Sequence, residues 1–369
     1  MMSLCEKPLV KLPKNIREIK KLNERLILRT RENLAKRFDI IPSRKIFKIF
    51  QKNLGIMPVK ISPITEGIGA VSYLVQTKNS DGSCKYVIKV SVFKSHHTVI
   101  DEFIFNYIVK RYAPSIPVPR MLLLDISFED LSWPYMIYAW IEGKSLYSLA
   151  KNGDKNVLNK VETMGHILAR IHGIHINVEG FGKPCWEDII YILQTKKVPN
   201  PLCCNYSSYK DYYESIWKTN LDFVCSKRLI DRDMARIIKN LFNDAMPSIK
   251  LHPTMLHNDP TTKNFIFHNS TFVGLLDGSI RFGYNLEDLM SAIVFLALLS
   301  MRTNILFRKL THAFFRGYNN STYTYKSGQI YAYLILRLLS RIKTAFYLNL
   351  FHEINFYKHI IESIVYLSF

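Results

Sequence analysis

Residues 255–267 read MLHNDPTTKNFIF. His257, Asp259 and Asn264 stand together here, flanked by the apolar Leu256 and Phe265. Two readings suit such a cluster. One is a polar turn held by Asx hydrogen bonds. The other is a loop that handles a phosphoryl group and a metal ion. In that case Asp259 orients or deprotonates a hydroxyl. Asn264, an amide at the start of a strand, offers oxygen to Mg²⁺. His257 then has a structural part, bonding the loop backbone. The rest of the chain decides between the two.

The chain has 369 residues, enough for two lobes around a sizeable core. A hydrophobic fraction of 48% excludes a disordered chain. The formal net charge of +20 suits an anionic partner, whether nucleotide, nucleic acid or membrane surface; a plain basic surface gives the same number. The six cysteines show no C-x-x-C spacing, which argues against zinc. Their scatter fits reduced thiols, hence a cytoplasmic location. The start, MMSLCEKPLVKLPKN, has no apolar signal-peptide core. The most apolar run, 292–299, is too short to span a bilayer and reads as a buried helix.

Around the opening stretch the texture varies in a definite order. Residues 1–57 form a basic extension. Within it, 14–38 predict one long helix and 43–54 a second, with Ser43 as N-cap and Gly55 as stop. From Pro58 the chain is rich in Val, Ile and Tyr. Three antiparallel strands are expected: one ending near Ile64, one at 71–77, one at 85–92. A helix follows over 97–112, then strands at 121–127 and 135–140. This small β-rich lobe spans 58–139. From 140 to 369 the chain is mainly helical, interrupted by two short strands between 264 and 278. The fold class is α+β, with two lobes and a cleft that suits a nucleotide.

Phosphoryl transfer needs a phosphate cradle, a cation, a metal held by hard oxygens and a carboxylate on the attacking hydroxyl. Gly67 and Gly69 lie between the first two strands, where bare backbone N–H groups approach an anion. An ordinary glycine turn has the same appearance. Lys89 is a cation inside the apolar strand YVIKVS, on the face of Val87. Glu102 on the next helix is placed to pair with it. A lysine on a wet outer face is the rival reading. Asp277 ends the apolar run VGLLD, thirteen residues after Asn264. A hairpin of that length returns it beside Asn264, and two oxygens plus phosphate oxygens suit Mg²⁺. Asp277-Gly278 is also a common turn pair.

Taken in order, these residues resemble the aminoglycoside phosphotransferase and choline kinase-like family, which has a protein kinase-like fold. The family pattern is H-x-D-x4-N, then an apolar strand ending in Asp, then Asp-Leu eleven residues on. Here these are His257, Asp259, Asn264, Asp277 and Asp288-Leu289. The segments ILARIHGIH and PYMIYAWIEGKSL are similar to the family's helix and interlobe linker, so the resemblance covers roughly 60–300. It implies Asp259 as the catalytic aspartate, with Asn264 and Asp277 as Mg²⁺ ligands. It implies that Lys89 meets the α- and β-phosphates while paired to Glu102. The backbone from Tyr138 to Trp140 would meet adenine, and Asp288 would brace the catalytic loop. The sequence departs from the family at Asn258, where Gly is frequent, at Pro260, and at Gly278, where an aromatic is usual. Protein kinases share the H-x-D-x4-N spacing, but Asp277 is followed by Gly-Ser rather than Phe-Gly, and no Ala-Pro-Glu follows.

The expected function is therefore an ATP- and Mg²⁺-dependent phosphotransferase acting on a small-molecule hydroxyl. The alternative is an inactive kinase-like protein binding nucleic acid or another acidic partner. After residue 300 nine Lys and Arg stand against Glu353 and Glu362. That balance favours a neutral or anionic acceptor over a polycation.

Overall fold

The computed structural model describes residues 8–12, 41–64, 70–79, 82–91, 97–245, 252–319, 325–347 and 349–367. The longer of the two expected N-terminal helices and the Gly67 and Gly69 loop lie outside the described residues.

Six strands form the N-lobe sheet: β1 (Leu9–Lys11), β2 (Pro58–Ile64), β3 (Val71–Asn79), β4 (Gly82–Val90), β5 (Met121–Asp125) and β6 (Tyr135–Ala139). Their order is β1-β5-β6-β4-β3-β2. All pairings are antiparallel except β1 on β5, which is parallel. Alternation along β4 sends Tyr86, Ile88 and Val90 to one face and Val87 and Lys89 to the other. Helix α1 (Ser43–Leu54) covers the first face with Ile46, Ile49 and Phe50. Pro42 rather than Ser43 takes its N-cap position, and Gly55 ends it in the left-handed conformation, φ 64°. Helix α2 (His97–Tyr112) covers the second face, where Val99 and Phe103 join Val87, Leu124 and Met136 in the main core.

The N-terminal residues are thus less separate than their basic, polar composition suggests. A strand and a helix from this region complete the N-lobe. Lys11, Lys52 and Asn53 all bond the Asp130 carboxylate, fastening β1 and α1 to the loop before β6.

The C-lobe holds α3 (Leu146–Lys151), α4 (Val157–His172), α5 (Trp186–Thr195), α6 (Tyr209–Ser226), α7 (Arg232–Asp244), α8 (Leu286–Met301), α9 (Phe307–Tyr318), α10 (Ser327–Tyr347) and α11 (Phe351–Leu367). Helices α4 and α9 meet backbone to backbone: a Cβ on Gly165 would lie 2.1 Å from the Phe314 carbonyl oxygen. Among them run β7 (Lys144–Ser145), β8 (Val178–Glu179), β9 (Phe181–Pro184), β10 (Leu202–Tyr206), β11 (Thr254–Leu256), β12 (Phe265–His268), β13 (Thr271–Leu275) and β14 (Arg281–Gly283). They make two small sheets, β13-β12-β7 and β11-β14-β9-β10-β8. Only β12 and β13 were expected here. The others, such as Val178–Glu179 and Phe181–Pro184, lack the continuous apolar run that marks β12 and β13. Phe265 sits opposite Leu275 in the β12–β13 hairpin, and Leu256 sits opposite Arg281 on β14. The β11–β12 loop and the β13–β14 connection therefore start and finish side by side. Among the described residues no helix is long and apolar enough to cross a membrane.

Candidate active site

The loop 257–264 is fixed by a buried carboxylate. Asp288, on the first turn of α8, is fully buried. It accepts the N–H of His257 at 2.6 Å and that of Asn258 at 2.9 Å. A ring nitrogen of His172 on α4 meets the same carboxylate at 3.2 Å, and the other ring nitrogen meets the Tyr318 hydroxyl at 2.8 Å. Burial works to raise the Asp288 pKa, but the His172 hydrogen bond and the nearby histidines hold it below the usual carboxylate range. His257 is buried too, and burial pushes its pKa below the ordinary imidazole value against the pull of the Asp288 and Asp259 carboxylates. Its Nε2 faces the Leu276 carbonyl at 3.1 Å, and its Nδ1 accepts the Asp259 N–H at 3.3 Å. One imidazole thus links the loop to the β13–β14 connection.

Asp259 follows at the loop's bend. Its carbonyl accepts the Thr261 N–H at 2.8 Å and the Asn264 side-chain amide at 2.9 Å. That second bond spends the Asn264 nitrogen and leaves its oxygen for another partner. Among the described residues none donates a hydrogen bond to the Asp259 carboxylate. Burial raises its pKa, against the pull of Arg341, His257 and Arg337. Asn258 has φ 70°, a left-handed conformation that Gly and Asn tolerate best. The departure from the family's Gly at this position is therefore between two residues the backbone accepts.

Asp277 lies two residues past β13, at φ 56°, with its carboxylate half exposed. Lys89 reaches it from β4 at 2.5 Å and also bonds Glu102 of α2 at 2.5 Å. Burial favours a neutral Lys89 amine, but the Asp277 and Glu102 carboxylates override it and hold its pKa well above normal. Burial pushes Glu102 up to about 7 despite Lys89. The same ammonium outweighs the burial that would raise Asp277, and its carboxyl stays low. Tyr138 is buried at the end of β6, its phenol pushed up by burial first and by Glu102 second. The Ala139 and Trp140 N–H groups are taken by the Arg120 and Lys85 carbonyls.

Lys89, Glu102, Asp259, Asn264, Asp277, His257 and Asp288 thus converge where the lobes meet. Residues 60–328 match the model of the "Phosphotransferase enzyme family". The chain belongs to that family. No curated protein sequence matches it closely enough to count as a relative. Solved structures of aminoglycoside phosphotransferases share its fold. Apo APH(4)-Ia, a thermostable mutant, is 16% identical with a TM-score of 0.60, covering 87% of this chain and 99% of its own. A ternary complex of the same enzyme with AMP-PNP and hygromycin B has a TM-score of 0.62 at 16% identity, covering 87% and 98%. The GDP complex of aminoglycoside 2'-phosphotransferase-IIIa is 12% identical, with a TM-score of 0.56 over 89% and 99%. The two lobes are those of the protein kinase-like fold.

Several residues of this phosphotransferase escaped the sequence reading. His172 braces Asp288; its signal was a histidine inside the amphipathic stripe of α4. Phe105 of α2 lies against Gly278, where an added Cβ would come 2.2 Å from the ring. Its ring also meets His257 edge-on at 5.3 Å. At Gly278, where an aromatic was expected from the resemblance, this chain has glycine and packs an aromatic from α2. Arg337 on α10 donates to the Asn258 carbonyl at 2.7 Å, a contact that no local pattern announces.

Proposed function

We propose that this family member transfers the γ-phosphoryl group of ATP, in a Mg²⁺-dependent reaction, to a hydroxyl of a small molecule. The observation that carries it is the meeting of Asp259, Asn264, Asp277 and the Lys89–Glu102 pair at the lobe junction. Among the described residues no group of three His, Cys, Asp or Glu could hold a metal alone. The Asn264 oxygen and the free oxygen of Asp277 are hard donors that suit Mg²⁺ once nucleotide phosphates complete its shell. When bound, Mg²⁺ offsets charge on the phosphoryl oxygens. Lys89 exchanges its bond to Asp277 for the α- and β-phosphates, while Glu102 keeps it in place. A base beside Tyr138 and Trp140 meets carbonyl oxygens and ring faces, because the Ala139 and Trp140 N–H groups are occupied.

The acceptor oxygen bonds the γ-phosphorus as the bond to the β–γ bridging oxygen breaks. ADP leaves with that electron pair, and the hydroxyl proton passes to Asp259. His257 and Asp288 hold Asp259 at the right place. The nucleic-acid alternative draws no support from the fold neighbours or from the described residues.

Asp259→Asn tests the reading. Turnover should fall roughly 10²- to 10⁴-fold, while Mg-ATP affinity by calorimetry changes less than about threefold. A wild-type chain that binds no Mg-ATP would end the proposal.

A further inference from the structure

Behind the loop, between α6, α10 and β14, lies a cavity of about 360 Å³. Its size is that of a small-molecule site rather than a packing defect. Two arginines line it, Arg281 and Arg337, together with Glu287 and the polar Asn220 and Ser340. Both arginines are tied to the loop that carries Asp259. Arg281 sits opposite Leu256 in the β11–β14 pair, directly before His257. Arg337 holds the carbonyl of Asn258, directly before Asp259.

The polar groups of the cavity are unevenly matched. Glu287 is committed: its carboxylate accepts the Tyr284 N–H at 3.0 Å and the Tyr212 hydroxyl at 2.9 Å. The guanidiniums are only partly committed: Arg337 donates to the Asn258 carbonyl, and Arg281 meets the Tyr212 hydroxyl and the Glu287 carboxylate. The Nε atoms of Arg281 and Arg337 are both buried, and neither has a hydrogen-bond partner among the described residues. Buried donors are almost always paired in folded proteins. Each arginine that lines the cavity thus keeps one buried donor unpaired. With one carboxylate against two guanidiniums the lining carries net positive charge. Guanidiniums present a planar fork that matches carboxylate and phosphate oxygens.

We propose that this cavity seats the acceptor, and that the acceptor bears a carboxylate or phosphate in addition to the hydroxyl that is phosphorylated. Arg281 and Arg337 hold the anionic group. The anchored end lies beside the loop, and the hydroxyl extends toward Asp259. A polycation such as an aminoglycoside would bring more positive charge to a lining already positive. This inference rests on the phosphotransferase reading above and narrows its substrate class.

The test is calorimetry on the full chain with Mg-ADP present, using glycerate, glycerol phosphate, glycerol and hygromycin B in parallel. Either anion should bind at least about tenfold more tightly than glycerol or hygromycin B. The stronger of the two arms tells carboxylate from phosphate. Arg281→Gln and Arg337→Gln should each remove that preference, with Arg337→Lys restoring part of it. Far-UV circular dichroism and thermal melts confirm that each variant is folded. If neither anion binds, or glycerol or hygromycin B binds as well, the proposal is overturned. The same holds if the preference survives Arg281→Gln in a folded protein. Absence of Mg-ADP binding in the first titration would instead overturn the phosphotransferase reading itself.

Discussion

Asp288 is one buried carboxylate that serves three donors on two segments, the His257 and Asn258 N–H groups and the His172 ring. Removing it strands all three. Asp288→Ala should cost about 3 kcal/mol of stability, measured by urea denaturation. Turnover should fall with it, since the backbone on either side of Asn258 is then unheld. A loss below about 1 kcal/mol would show that the loop is fixed by other means. At this scale much of the site was legible in the sequence. Asp259, Asn264, Asp277 and Asp288 lie within one short span, where spacing and hairpin length already relate them. Arg281 and Arg337 were not legible as a pair. What brings them together is the packing of α10 on the loop, and no local periodicity encodes that.

Among elements, α2 has the most to reconcile. It carries Glu102 for Lys89, and Asp101 for Lys183 of β9. It also presents Phe105 to Gly278. Gly278→Ala should cost about 1–3 kcal/mol, because the new methyl meets an aromatic ring that is itself buried. Adding Phe105→Leu should return about half of that loss, read as a coupling energy in a double-mutant cycle. Additive costs would mean that the strain lies elsewhere. The hydrophobic pattern predicted α2 at 97–112, and the helix spans His97–Tyr112. It gave no sign that Phe105 stands in for a side chain at 278, because the partners are far apart in sequence. A second element-scale prediction concerns β1 and α1. Burial works to raise the Asp130 carboxyl, but bonds from Lys52, Asn53 and Lys11 bring it well below the usual range. A lowered folded value means stability present above about pH 4 and lost as the pH falls toward that value. The stability advantage of wild type over Asp130→Asn should therefore be constant at neutral pH and shrink in acid. A difference that grows in acid would reverse the sign.

At the scale of the whole molecule there are two cores. One lies between the N-lobe sheet and α1; the other runs from the opposite face of that sheet through α2 into the C-lobe. The two-lobed order of elements was readable from the switch between β-rich and helical texture. The place of the N-terminal residues was not, because three residues of strand, Leu9–Lys11, carry almost no periodic signal. That small strand has a practical consequence. The family match begins at residue 60, so a natural choice for a minimal domain would omit everything before it. Such a truncation uncovers the outer side of β5, exposing a row of N–H and C=O groups ready to recruit another chain. It also bares the apolar face that Ile46, Ile49 and Phe50 cover. The shortened protein should form concentration-dependent aggregates by light scattering, whereas the full chain stays monodisperse. A well-behaved monomer starting at Pro58 would show that the first residues are dispensable. Otherwise they act as a built-in guard against self-association.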